Sequence, residues 1–173
     1  MRTFFKGIAI LALIVTICAG GLVLYVLETR VPEIQVIASG TLPAQEDENT
    51  FRYLAQALQN GTYQGRVFSD ETQISADSCT FLAASFRLKN RCLLPMEWIQ
   101  VDAEPVDGDI LEVRDEKPHL LNARSEGDLT VNILTHNGTF PAERNIAVSY
   151  YILGTPMKTT IRVIWNGETG DRE

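Results

Sequence analysis

CTFLAASFRLK, residues 79–89, has a period of two. Thr80, Leu82, Ala84, Phe86 and Leu88 face one way, while Ser85, Arg87 and Lys89 face the other. Successive side chains alternate in an extended chain, so this pattern predicts a strand with one face on a core and one in water. Asn90 to Pro95 turns the chain, and MEWIQVDAE (96–104) runs back with Ile99, Val101 and Ala103 on one face. Asp107-Gly108 marks a second turn before DILEV (109–113).

The same period holds on either side. Downstream, DLTVNIL (128–134) points Leu129, Val131 and Ile133 inward, and Asn137-Gly138 signals a turn. ERNIAVSYYIL (143–153) and MKTTIRVIW (157–165) follow, joined across Gly154-Thr155-Pro156. In the last strand Met157, Thr159, Ile161, Val163 and Trp165 share a face. Upstream lie two shorter strands, QGRVF (64–68) and EIQVIA (33–38). Such a series of short strands separated by turn signals predicts a mainly β protein, an antiparallel β-sandwich. One element breaks the period. Over residues 47–59, Phe51, Leu54, Ala55 and Leu58 recur at helical spacing, with Asp47 or Asn49 as cap and Asn60-Gly61 as stop. It reads as one short amphipathic helix covering the sheet.

Ahead of all this stands GIAILALIVTICAGGLVLYVL, Gly7 to Leu27, without a charge. As a helix it would be about 32 Å long, against a hydrocarbon core of about 30 Å. It reads as a transmembrane helix. Arg2 and Lys6 precede it and all 22 acidic residues follow it, which by the positive-inside rule places the N-terminus in the cytoplasm and the remainder outside. The expected organisation is a cytoplasmic tip (1–6), the span (7–27), a stalk with the first strand (28–50) and an extracytoplasmic sandwich (51–173). The alternative is a signal peptide cleaved near Gly21 and a secreted product. The apolar run LVLYVL beyond Gly21 favours the retained anchor. Cys18 as a lipid-modified cysteine would need a small residue before it, and Ile17 stands there. Ala12, Thr16 and Gly20 lie four apart on one helix face, a spacing that lets membrane helices approach closely but also occurs on lipid-facing surfaces.

The stretch FRLKNRCLLPMEWIQVDAEPVDGDILEV (86–113), with SYYILG (149–154) as a late strand, resembles immunoglobulin-like modules displayed on bacterial envelope proteins. The resemblance covers about residues 64–165 and implies a spacer or adhesive module. It carries over no catalytic residue. The Cys, Trp, Cys order of antibody domains is absent, because Trp98 follows both Cys79 and Cys92.

Among candidate sites, Cys79 and Cys92 would be separated by roughly 30 Å if 79–89 is extended, beyond the reach of a disulfide. They are expected to be unbonded. Asp102, Glu104, Asp107, Asp109 and Glu112 form an acidic run that reads as a solvated hairpin, without the spacing of a calcium loop. Asn60-Gly61-Thr62 and Asn137-Gly138-Thr139 fit both the glycosylation sequon and a turn, and the turn is preferred. His119 and His136 lack a ligand motif. Of Tyr150, Tyr151 and Trp165, the possible interaction aromatics, the two adjacent tyrosines must point to opposite faces, so one is core and one surface.

With 22 acidic against 15 basic residues, the chain is a poor ligand for nucleic acid or anionic headgroups. No spacing of Ser, His, Cys or acid residues recommends catalysis, and none implies a cofactor or metal. The expectation is a single-pass, membrane-anchored, non-enzymatic binding or structural module, partnered by the lipid bilayer and by another envelope or membrane protein. The alternatives are an extracytoplasmic small-ligand sensor and an anchored hydrolase.

Overall fold

The computed structural model describes residues 2–113, 119–137 and 142–165. Helix α1 (Arg2–Thr29) leads into strand β1 (Glu33–Pro43), helix α2 (Glu48–Gln59) and the short strand β2 (Arg66–Val67). Then come β3 (Cys79–Lys89), β4 (Met96–Ala103), β5 (Asp109–Val113), β6 (His119–Leu121), β7 (Glu126–His136), β8 (Ala142–Ile152) and β9 (Thr155–Trp165). They form two antiparallel sheets, β1-β3-β7-β5-β2 and β6-β4-β8-β9. The architecture is the expected sandwich, with an apolar N-terminal helix and one amphipathic helix.

The main core lies between the sheets. Leu82, Ala84, Phe86 and Leu88 of β3 meet Leu129, Val131 and Ile133 of β7 on one side. On the other stand Ile99 and Ala103 of β4, Ile146 and Val148 of β8, and Val163 and Trp165 of β9. The alternation of residues 79–89 therefore does set the inner face. It does not set the outer face near the strand's start, where Cys79 and Phe81 are buried too. They pack with Leu111 and Leu134 beneath Phe51, Leu54 and Leu58 of α2. Helix α2 starts where Asp47 accepts a hydrogen bond from Thr50 N at 3.2 Å. It ends in a paired cap, Gly61 N to Leu58 O and Thr62 N to Ala57 O at 3.1 and 2.9 Å, with Gly61 at φ +64°. This is the arrangement that favours glycine, so Asn60-Gly61-Thr62 is a helix stop.

Four local expectations change. Strand β1 runs on to Pro43, with an irregularity between Val36 and Ala38, and pairs along the whole of β3. Strand β4 carries a bulge between Glu97 and Gln100, which puts Met96 on the same buried side as Ile99, while Trp98 stays outward at φ 52°. The β8–β9 turn is tighter than expected: Ile152 pairs with Thr155, leaving Leu153 and Gly154 as a two-residue loop, both at positive φ. Pro156 consequently lies inside β9, tolerated because β9 is a sheet edge. Finally, β6 is a strand of three residues, His119–Leu121, where no strand is expected between 113 and 128.

The two ends of the sandwich differ. Helix α1 joins one end, where the 90–95 loop, the 122–125 turn and the β8–β9 hairpin gather. There Tyr25 OH donates to Arg91 O at 3.3 Å and Tyr150 OH donates to Arg30 O at 2.8 Å. At the far end lie Glu46, Asp47, Asp70, Asp77, Glu104 and Asp107, flanking the opposite strand termini.

Candidate functional site

The acidic run is not a wet hairpin throughout. Asp109 and Glu112 are buried, and each is buried for its own reason. Asp109 grips Arg144 with two hydrogen bonds of 2.9 and 2.7 Å. It also accepts from Val106 N at 2.8 Å, closing its own turn. Arg144 is equally buried, so β5 and β8, in different sheets, are tied by a desolvated bidentate pair. The sequence concealed this, because Arg144 is 35 positions away.

Glu112 does something else. Strand β6 covers only the first part of β4, pairing Met96 and Ile99. The edge of β4 beyond Ile99 has no strand beside it among the described residues, and two side chains take its place at Ala103. Glu112 Oε1 accepts from Ala103 N at 2.8 Å, and Arg66 Nη1 donates to Ala103 O at 3.2 Å. A carboxylate and a guanidinium thus imitate the acceptor and donor of a neighbouring strand. The Arg66 guanidinium also lies 3.7 Å from Asp102 Oδ1 and 3.6 Å from Glu112 Oε2, and over the Phe68 ring at 5.3 Å. Glu112 Oε2 is buried without a hydrogen-bond partner. Burial pushes the Glu112 carboxyl above its ordinary range, and the Ala103 N–H and Arg66 oppose that shift.

This carboxyl lines a cleft of about 440 Å³ with Tyr53, Tyr63, Ile99, Val101 and His119. Tyr63 OH donates to the Glu112 backbone carbonyl, and Gly65 is required beside it, since a Cβ there would strike the Tyr63 ring. A half-satisfied buried carboxyl beside aromatic and apolar walls can receive a hydrogen-bond donor or a small cation. Among the described residues no cluster of three or more His, Cys, Asp or Glu is arranged to hold a metal ion.

The remaining sequence candidates are scattered. Tyr150 and Trp165 are buried. Tyr150 is engaged with Arg30, and Trp165 Nε1 donates to Ala83 O at 2.8 Å, a bond that joins the two sheets. Tyr151 alone of the three is exposed, on a shallow hollow shared with Trp98 and Gly154. Trp98, which the alternation of its strand faces outward but which the sequence reading does not single out, is the more exposed of the pair. Cys79 and Cys92 are buried free thiols, the first opening β3 and the second lying just past its other end. Burial pushes the Cys79 thiol up, with Ser78 acting against and Glu71 with the shift. His136 meets Glu71 at 3.0 Å. Asn137 ties its side chain to Asp77 O and to Thr80 at 2.7 and 2.5 Å, while Gly138 and Thr139 lie outside the described residues.

Within α1, Lys6–Val26 is long and apolar enough to cross a membrane, and none of it is fully buried; only Tyr25 and Val26, at its end, are half-buried, where Tyr25 meets the sandwich. Gly7, Ala12, Thr16 and Gly20 lie on it; the side chain of Leu27 is outside the described residues. Thr16 turns its hydroxyl back onto Ala12 O at 2.9 Å, and a Cβ at Gly20 would meet nothing.

The fold defines the chain as an antiparallel β-sandwich carrying an apolar N-terminal helix. No protein-family model and no curated relative matches it. Among solved structures, it is similar to the yeast GGA1 GAE domain at 11% identity and TM-score 0.39, over 58% of this chain and 98% of that one. It is similar to the GAE domain of GGA2p from Saccharomyces cerevisiae at 12% and 0.37, over 53% and 79%. For the cupredoxin domain of amoB from Nitrosocaldus yellowstonii the values are 11% and 0.28, over 81% and 91%.

Proposed function

We propose that the chain is a single-pass, membrane-anchored binding or structural module, with a non-enzymatic sandwich held outside the cytoplasmic membrane against another envelope or membrane protein. One observation carries this reading. An apolar helix of membrane-spanning length, exposed except at its last turns, passes into the sandwich through only Arg30, Val31 and Pro32. The basic residues before the helix and the acidic ones after it support the N-in direction. Protease added to intact cells and to lysed cells tests it. The sandwich is expected to be cut in intact cells once the outer barrier is opened; protection until the cytoplasmic membrane is broken would reverse the topology.

The Glu112 cleft favours a second reading, a sensor of small donor-bearing ligands. Full-length protein in detergent, screened for thermal stabilisation by small amines and amides, tests it. Stabilisation that disappears in Glu112→Gln supports it, and a flat response across the screen removes it.

A further inference from the structure

We propose that the α1-proximal end of the sandwich is a membrane-resting face: Leu93, Trp98, Leu120, Tyr151 and Leu153 enter the headgroup–acyl boundary of the bilayer that α1 spans. The inference rests on the anchored reading above and adds to it a second lipid contact.

Distance comes first. From Thr29 to Glu33 the chain can extend at most about 14 Å, and it does not extend freely. Arg30 N bonds Val26 O at 2.9 Å, Pro32 is buried, and Tyr25 and Tyr150 fasten the helix end to the sandwich. A span ending near Val26 therefore leaves this end of the sandwich at the membrane surface, with no room for a stalk.

Composition comes second. Leu153 is 76% exposed, Leu120 64%, Trp98 63%, Leu93 49% and Tyr151 41%. All five belong to this end: the 90–95 loop, the start of β4, the neighbouring β6 and the β8–β9 hairpin. Leucine with tryptophan and tyrosine is the mixture that settles at a membrane interface. The six acidic residues at the far end point away from an anionic surface. Near α1, Lys89 pairs with Glu126 and Arg87 with Asp128, which lowers the cost of approaching lipid.

Backbone strain comes third. Trp98 and Leu153 both hold positive φ, which bulky side chains avoid. Asparagine or glycine would suit either position better. Two large apolar side chains are instead kept in a costly backbone and turned out to solvent at the same end.

The chain has two tryptophans, and Trp165 is buried in the sandwich core, so fluorescence isolates Trp98. Full-length protein is reconstituted into phosphatidylcholine vesicles whose acyl chains are brominated near the headgroup. Flotation first verifies that the protein is in the bilayer. The emission lost in Trp98→Phe is expected to fall about twofold on bromination, while that of Trp98→Phe itself stays level. Protein that floats without this quenching overturns the membrane-resting face and leaves the anchor intact. Protein that fails to float overturns the anchor. As a second variant, Leu153→Asn is expected to fold and float while weakening the Trp98 quenching; unchanged quenching would remove the hairpin from the face.

Discussion

Glu112 shows how one side chain can serve the fold and expose a chemical opportunity at once. Its Oε1 replaces a missing strand at Ala103, and its Oε2 has no donor. Because its folded pKa is raised, the folded state holds the proton to higher pH than the unfolded chain. Its contribution is most favourable below the unfolded carboxyl pKa and is lost as pH rises through the window up to the folded value. Urea titrations of wild type and Glu112→Gln at pH 4 and pH 8 are expected to show the variant gaining relative stability at the higher pH. Glu112→Ala, which leaves Ala103 N without an acceptor, is expected to lose about 1–3 kcal/mol. The Asp109–Arg144 pair behaves differently, since each charge is the other's partner. Arg144→Ala is expected to cost about 3–5 kcal/mol by stranding a buried carboxylate, with substitution of both by apolar residues costing far less.

At the scale of elements, the strands were legible wherever one face is wet and one dry. Residues 79–89, 128–134 and 143–153 announced themselves by alternation, and α2 by its helical spacing and cap. What alternation could not show is a second layer. Cys79 and Phe81 occupy positions that a half-wet strand should give to polar groups, and only α2 lying over them explains it. Leu54→Ala at the centre of that layer is expected to cost about 2–5 kcal/mol by denaturation. Bulges were equally hidden, because an extra residue reverses facing without any compositional sign, as at Met96, which is buried beside Ile99. The Leu153-Gly154 hairpin was misplaced for a related reason. Its loop geometry suits Asn-Gly but carries leucine, and Pro156, a turn-former, lies just inside β9. Leu153→Asn is expected to raise stability by about 1 kcal/mol, since asparagine accepts positive φ more readily; a melting curve checks it. Of the Glu112 cleft and the Asp109–Arg144 pair, the sequence displayed the acid residues and concealed Arg66 and Arg144, whose proximity depends on sheet topology.

The whole molecule has a direction. A largely exposed apolar helix enters at one end, exposed apolar and aromatic side chains lie at the same end, and the surplus of acid lies at the other. The first of these features gives the others their meaning, and all of it depends on the helix being retained. Membranes from cells making the full chain, washed at alkaline pH and examined by intact mass, test it most directly. An uncleaved chain remaining in the washed membrane pellet is expected. A soluble product lacking the residues before a cut near Gly21 would contradict it.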